Sequence, residues 1–251
     1  MPKRNGAAID ERPHKKAKLI GGFNETITLK VGIEPETKAF SVHKAVLCEV
    51  SSFFKAACNP TWMKNEDKVI RLPDDNPEAI QAMIYWMYQD KLGITDDEYE
   101  APTRSGEALD TFWGLLVKIY IVGDKYDLPG LRNQVIDTLI YEMENVGDEF
   151  PMGIIPYIYE HTIGPENPLR KLTIASMKRY LSSRTLLANK EILCPGFLYE
   201  LTFALVKDCE YRDEDEDNLS IDFCERFHSH ADPNKICVKL RARDIVENVK
   251  D

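Results

Sequence analysis

Phe40-Ser41-Val42-His43-Lys44-Ala45-Val46-Leu47, followed at once by Ser51-Ser52-Phe53-Phe54-Lys55-Ala56, is the stretch in which this chain changes its period. Phe40 and Val42 share one face of an extended segment with Ser41 on the other, and the paired aliphatics Val46 and Leu47 then demand a short helical turn. Upstream, Ile27, Leu29 and Val31 alternate with Thr28 and Lys30, so 27–31 is a strand, and Gly32–Thr37 with Pro35 is the turn of a hairpin onto 38–42. Downstream, Ser51 fits the N-cap of a second short helix that lays Phe53, Phe54, Ala56 and Ala57 against the sheet and stops at Asn59-Pro60. His43, set between strand and helix among apolar neighbours, fits a hydrogen-bonded histidine capping that turn better than a catalytic base.

Residues 61–67 form a loop, and Val69, Ile70 and Leu72 a third strand ended by Pro73-Asp74-Asp75. Asn76 caps the next helix and Pro77 takes its first position, after which Ile80, Met83, Ile84, Met87 and Tyr88 repeat at helical spacing. Residues 90–110 are polar and acidic and act as an inserted loop. Phe112, Leu115, Leu116, Ile119, Tyr120 and Tyr126 then supply an apolar stripe, with Gly114 and Gly123 allowing close backbone approach. Pro129 opens a further helix carrying Leu131, Val135 and Leu139. The expectation is an α+β fold. A small mixed sheet from 27–31, 38–42 and 68–72 is covered by helices near 44–58, 77–89, 111–126 and 129–141. Val46, Leu47, Phe54, Ile84 and Ile119 are buried.

Beyond Asn145 the strand signals stop. Residues 154–161, 169–181 and 197–206 are helical, separated by Gly164–Pro168 and Cys194-Pro195-Gly196. Four parts follow: a basic flexible tail (1–21), the mixed α+β domain (22–145), an all-α extension (146–207), and an acidic connector leading into a Cys/His-containing end (208–251).

Charge and motifs narrow the function. A net charge of −10 argues against generic nucleic-acid binding, which needs a basic face. Six spread cysteines, no apolar leader and no run long enough for a membrane span suggest a reduced intracellular setting, nucleus or cytoplasm. Nucleophile-elbow, zincin, Walker and dinucleotide-binding patterns are absent, and no cysteine sits in a C-x-x-C pair, so an enzyme reading has no nucleophile to start from. In the tail, Arg12, Lys15, Lys16 and Lys18 match a nuclear import signal or a solvated basic tail. Trp62 and Met63 lie in a loop where periodicity does not dictate burial, which makes them candidate partner contacts. Near the end, Cys224, His228, His230 and Cys237 follow C-x3-H-x-H-x6-C; such a set could complete a tetrahedral zinc site if a turn separates its parts, and otherwise no cofactor is expected.

The F-x-V-H-K-x-V-L stretch, Ser51-Ser52-Phe53-Phe54, and Tyr126-Asp127-Leu128 with Leu131 together resemble the BTB/POZ family, over about residues 22–145. The resemblance implies a BTB/POZ fold, often followed by a helical extension, and a non-catalytic module that recruits partner proteins. Phe40, Val42, His43, Lys44, Val46 and Leu47 are then structural, and a cullin ubiquitin ligase or a transcriptional complex is the implied destination. The family's adaptor signature, apolar-x-Glu, maps onto Met63, Lys64 and Asn65; Asn65 breaks it and Glu66 lies one residue late, while Tyr126 is a second implied contact. Dimeric relatives with zinc fingers carry an aspartate at the start of the first strand, paired with a basic residue after the histidine. Here Thr26 replaces that aspartate and Lys44 keeps the base, so a monomer or weak dimer is expected. The alternative function is a zinc-stabilised nuclear regulatory factor whose Cys/His end is the working part.

Overall fold

The computed structural model of the chain describes residues 23–59, 68–94, 112–146, 150–210 and His228. Three strands, β1 (Thr26–Val31), β2 (Lys38–His43) and β3 (Val69–Leu72), form one mixed sheet in the order β2-β1-β3. The β1–β2 pair is antiparallel, with Thr26 opposite His43 and Val31 opposite Lys38; β1 runs parallel to β3, with Thr28 opposite Val69. The alternation behaves as period two requires. Ile27, Leu29, Val31 and Val42 are fully buried on one face, whereas Thr28 and Ser41 are not. Gly32, with φ +88°, makes the hairpin turn that few side chains tolerate.

The helical segment near 44–58 divides at Ser51, as its cap signal predicts, into α1 (Lys44–Val50) and α2 (Ser52–Ala57). Ser51 breaks them with extended φ −124°, ψ 121°, and its hydroxyl accepts the Phe54 N–H at 3.2 Å as the N-cap of α2. α3 (Pro77–Gln89) starts as its cap signals predict, the Asn76 carboxamide oxygen accepting from Glu78 N at 3.0 Å and Ala79 N at 2.9 Å. Its buried face departs from expectation. Ile84 is only half-buried and Tyr88 exposed, while Ala79, Ala82 and Trp86 join Ile80 and Met83 inside. The cause is Gly130: a Cβ there would lie 2.9 Å from the Trp86 indole, so the missing side chain opens the slot that turns α3 toward Trp86.

α4 (Phe112–Lys125) and α5 (Pro129–Tyr141) form an antiparallel pair joined by Asp127 at φ +55°. Close approach at Gly123 is realised, since a Cβ there would meet Arg132 Cγ at 3.0 Å. Leu131, Val135 and Leu139 are all fully buried, as their spacing of four predicts. Val46, Leu47, Phe54 and Ile119 are buried as well. A π-turn over Glu142–Val146 prolongs α5.

The remaining elements are helical: α6 (Ile155–His161), α7 (Pro168–Tyr180), α8 (Ser183–Ala188) and α9 (Pro195–Glu210). The short α8 has no counterpart in the apolar periodicity, because it buries no side chain; only its Ser182 cap, accepting from Thr185 N at 3.0 Å, announces it. These helices share one continuous core with the sheet domain. The Tyr120 hydroxyl donates to Asn167 Oδ1 at 3.2 Å, tying α4 to the N-cap of α7, and Trp113 packs edge-on against Phe150 at 5.4 Å.

Candidate interaction surface

Helix α2 carries the surface that the sequence leaves most open to a partner. It is amphipathic over a single turn and a half, so Phe54 and Phe53 point in different directions. Phe54 is fully buried and stacks on Tyr126 at 4.8 Å. Phe53 was expected in the core but remains 43% exposed, its inner edge against Phe54 (5.3 Å) and Tyr126 (4.9 Å). Ser52, Lys55 and Ala56 are exposed beside it. A large aromatic held by its inner edge and wetted on its outer one loses little side-chain freedom when a partner covers it, which is how interface anchors are built.

A polar brace holds this unit in place. The Ser51 hydroxyl donates to the Tyr126 carbonyl at 2.7 Å, and Ser52 Oγ to Asp127 Oδ2 at 2.6 Å. The Tyr126 hydroxyl donates to Asp75 Oδ2 at 2.6 Å, and Lys125 Nζ reaches both Asp75 oxygens at 2.8–2.9 Å. Burial, reinforced by the hydrogen bond to the Asp75 carboxylate, pushes the Tyr126 phenol well above its ordinary range. Burial also pushes the neighbouring Cys58 thiol up to about 12, with Cys48 adding to the effect. A thiol so raised is an inert packing group rather than a nucleophile.

His43 occupies the N-cap position of α1, but its side chain makes no capping hydrogen bond there. Its backbone N–H donates to the Tyr88 hydroxyl at 3.1 Å, and its ring Nδ1 lies 2.7 Å from the same oxygen, because the ring points across to α3. Phe23 packs edge-on against the imidazole at 4.9 Å. Lys44 is not a lone charge. Glu25 pairs with it at 3.2 Å and with Lys68 at 2.9 Å, and these side-chain bonds, Lys68 foremost, hold the Glu25 carboxyl below the usual carboxylate range.

This order of strand, hairpin, two short helices, parallel third strand and helical hairpin coincides with a family match: the BTB/POZ domain profile covers residues 22–142. Residues 22–142 are a BTB/POZ domain. A curated relative, the BTB/POZ and MATH domain-containing protein 5 of Arabidopsis thaliana, is 33% identical over 96 residues, which cover 37% of this chain and 23% of that protein. The chain thus spans less than a quarter of that relative's length. BTB/POZ domains are typically non-enzymatic modules that bind other proteins, and the fold here is an interaction module of that general kind.

The predicted site residues separate in the BTB structure. Tyr126 is fully buried, so it is not a partner contact: its ring fills the space under α2 and its hydroxyl is consumed by Asp75. Trp62, Met63, Asn65 and Glu66 lie outside the described residues, in the segment that follows α2 directly. Arg12, Lys15, Lys16 and Lys18 lie outside them too, as do Cys224, His230 and Cys237. His228 is described. Its Nε2 sits 2.7 Å from Asp137 Oδ1 on α5, with the side chain 3% exposed. Among the described residues no three His, Cys, Asp or Glu side chains gather as a metal site, and no helix is long and apolar enough to cross a membrane. Sequence reasoning missed Phe53 as a surface residue. The signal was available, since Ser51 as N-cap fixes which of two adjacent phenylalanines faces inward.

Proposed function

We propose that this protein is a non-catalytic adaptor or scaffold. It recruits partner proteins through its BTB domain, and the recruiting surface is the outer face of α2 with the segment carrying Trp62, Met63, Asn65 and Glu66. The observation that carries this reading is Phe53: a phenylalanine standing 43% exposed on a braced aromatic cluster, nine positions before Trp62 of the Trp62-Met63 pair. The destination we favour is a cullin ubiquitin ligase, with a transcriptional complex second, acting in the nucleus or cytoplasm without membrane or direct nucleic-acid binding. Asn65, in place of the adaptor glutamate, makes Phe53 and Met63 carry more of the contact. The test is capture of a purified cullin scaffold by the full chain. Phe53→Ala and Met63→Ala are each expected to weaken capture at least about tenfold, roughly 1.4 kcal/mol, with unchanged thermal melts. Capture that ignores both substitutions removes α2 and its following segment from the mechanism.

Self-association through the BTB end is weak or absent in this reading. Lys44, the basic residue that would face a second copy, is already paired within its own chain with Glu25, which it shares with Lys68. The 146–207 extension works as part of the same body, since its core is continuous with that of the BTB domain.

A second reading has one observation in its favour. A carboxylate on one ring nitrogen is the partner that orients a metal-ligating histidine, and Asp137 holds His228 in this way. It equally satisfies a structural histidine, so the adaptor reading predicts no zinc. Less than about a tenth of an equivalent in the purified tagless protein, unchanged by Cys224→Ser with Cys237→Ser, is the expected result; a stoichiometric equivalent that this double variant loses would make the Cys/His end the working part.

A further inference from the structure

Fourteen large apolar side chains stand exposed among the described residues, and eight of them fall between residues 186 and 206. The densest group is on α9. At 100° per residue, Phe197, Leu201 and Ala204 face the body, packed with α6 and α7, and Phe197 meets Tyr159 edge-on at 5.9 Å. The opposite arc, about 160° wide, carries Leu198, Tyr199, Phe203, Leu205 and Val206, with Thr202 as its single polar member. Tyr199 is 72% exposed and Phe203 61%. Between Leu198 and Val206 the arc holds no charge at all. A helix that is apolar on both faces has two partners to satisfy, and among the described residues this one has met only the first.

We infer that α9 pairs with α9 of a second copy, antiparallel across a two-fold axis near Thr202. Three features select this occupant. A charge-free arc is self-complementary, because a two-fold contact desolvates no ion on either copy. The antiparallel arrangement sets the positive N-terminal end of one helix, which has no acidic residue in its first turn, beside the C-terminal end of the other. The area also suits a dimer. Tyr199 and Phe203 alone expose on the order of 200–300 Å², and with the aliphatics of the arc and their neighbours the contact approaches the roughly 800 Å² per partner of a standard interface. The pairing is weak and concentration-dependent, lies outside the BTB domain, and does not rest on the adaptor reading above.

Sedimentation velocity of the full chain from about 1 to about 100 μM spans the dissociation midpoint expected for such a contact. The expected result is a shift from 28.8 kDa toward twice that mass. Phe203→Glu and Phe203→Lys, each next to the axis, are expected to raise the midpoint at least about tenfold, and an equimolar mixture of the two to recover association. Both residues are exposed replacements, so melts stay at the parent value. Glu25→Lys, at the BTB end, leaves the midpoint unchanged. A chain that is monomeric throughout, or a dimer indifferent to both Phe203 variants, overturns the proposal. So does a monomer in which a Tyr199→Cys thiol is shielded until residues 211–251 are removed, which would make that segment of the same chain the occupant.

Discussion

Tyr126 joins the two halves of the brace beneath α2, and its replacement separates their contributions. Tyr126→Phe keeps the ring stacked on Phe54 but removes the hydroxyl that donates to Asp75 Oδ2 at 2.6 Å. A hydrogen bond to a charged acceptor contributes about 1.5–3 kcal/mol. Lys125 still reaches both Asp75 oxygens, so that carboxylate is not left bare and the lower end applies, about 1.5 kcal/mol. Tyr126→Ala also deletes a fully buried ring in contact with Phe53 and Phe54, and aromatic-to-alanine changes in cores cost about 3–5 kcal/mol. The sum is about 4.5–6.5 kcal/mol. For a chain of this size, 1 kcal/mol moves the melting point about 2–4 °C, so the Phe variant is expected to lose about 3–6 °C and the Ala variant about 9–26 °C. Scanning calorimetry measures both. A Tyr126→Ala protein melting within about 2 °C of the parent would refute the brace, and the assignment of Tyr126 to the core with it. Partner loss in that variant reports a loosened domain, whereas partner loss in Phe53→Ala, at an unchanged melting point, reports a contact.

Leu47, fully buried on the inner face of α1, is expected to cost about 2–5 kcal/mol as Leu47→Ala in a denaturant titration. Arg170 in the extension bonds Glu200 Oε1 at 3.0 Å and the carbonyls of Tyr159 and Thr162, with its guanidinium 4.2 Å from the Tyr159 ring; Arg170→Ala takes the cation from the mostly buried Glu200 carboxylate, which keeps the Tyr159 hydroxyl at 2.6 Å, and is expected to cost about 2–3 kcal/mol, read as a lowered melting point. Alkaline unfolding is expected to begin near pH 10. Tyr120 and Tyr126 are fully buried and their phenols are raised, by burial first, so above the ordinary tyrosine range the unfolded chain releases protons that the folded chain keeps, and stability falls as pH rises. Tyr120→Phe with Tyr126→Phe should flatten that fall between about pH 10 and 12, measured by circular dichroism; an equally steep fall in the double variant would mean that other groups control it.

The part of the fold that was legible is the part in which one local rule decides. Alternation at Ile27, Leu29 and Val31 could only place those side chains on one face, and Asn76-Pro77 could only start a helix. The errors lie where the deciding residue is distant in sequence. Ile84 yields its inside position to Trp86 because Gly130, 44 residues after the tryptophan, leaves room for an indole. The resemblance makes Tyr126 a partner contact although the residue belongs to an apolar stripe; its hydroxyl is satisfied inside by Asp75, 51 residues earlier, a pairing that no periodicity announces. α8 buries nothing, so hydrophobic patterning had nothing to detect. The same reasoning explains why α9 was legible as a helix but not as a surface: its apolar residues run round the whole cylinder, and periodicity shows that a helix is apolar without saying which of two faces its own chain covers. Only the packing of Phe197 and Leu201 against α6 and α7 divides the helix into an inner face and an outer one. An apolar outer face then calls for a partner from outside the fold, which is the step from structure to assembly that no local pattern contains.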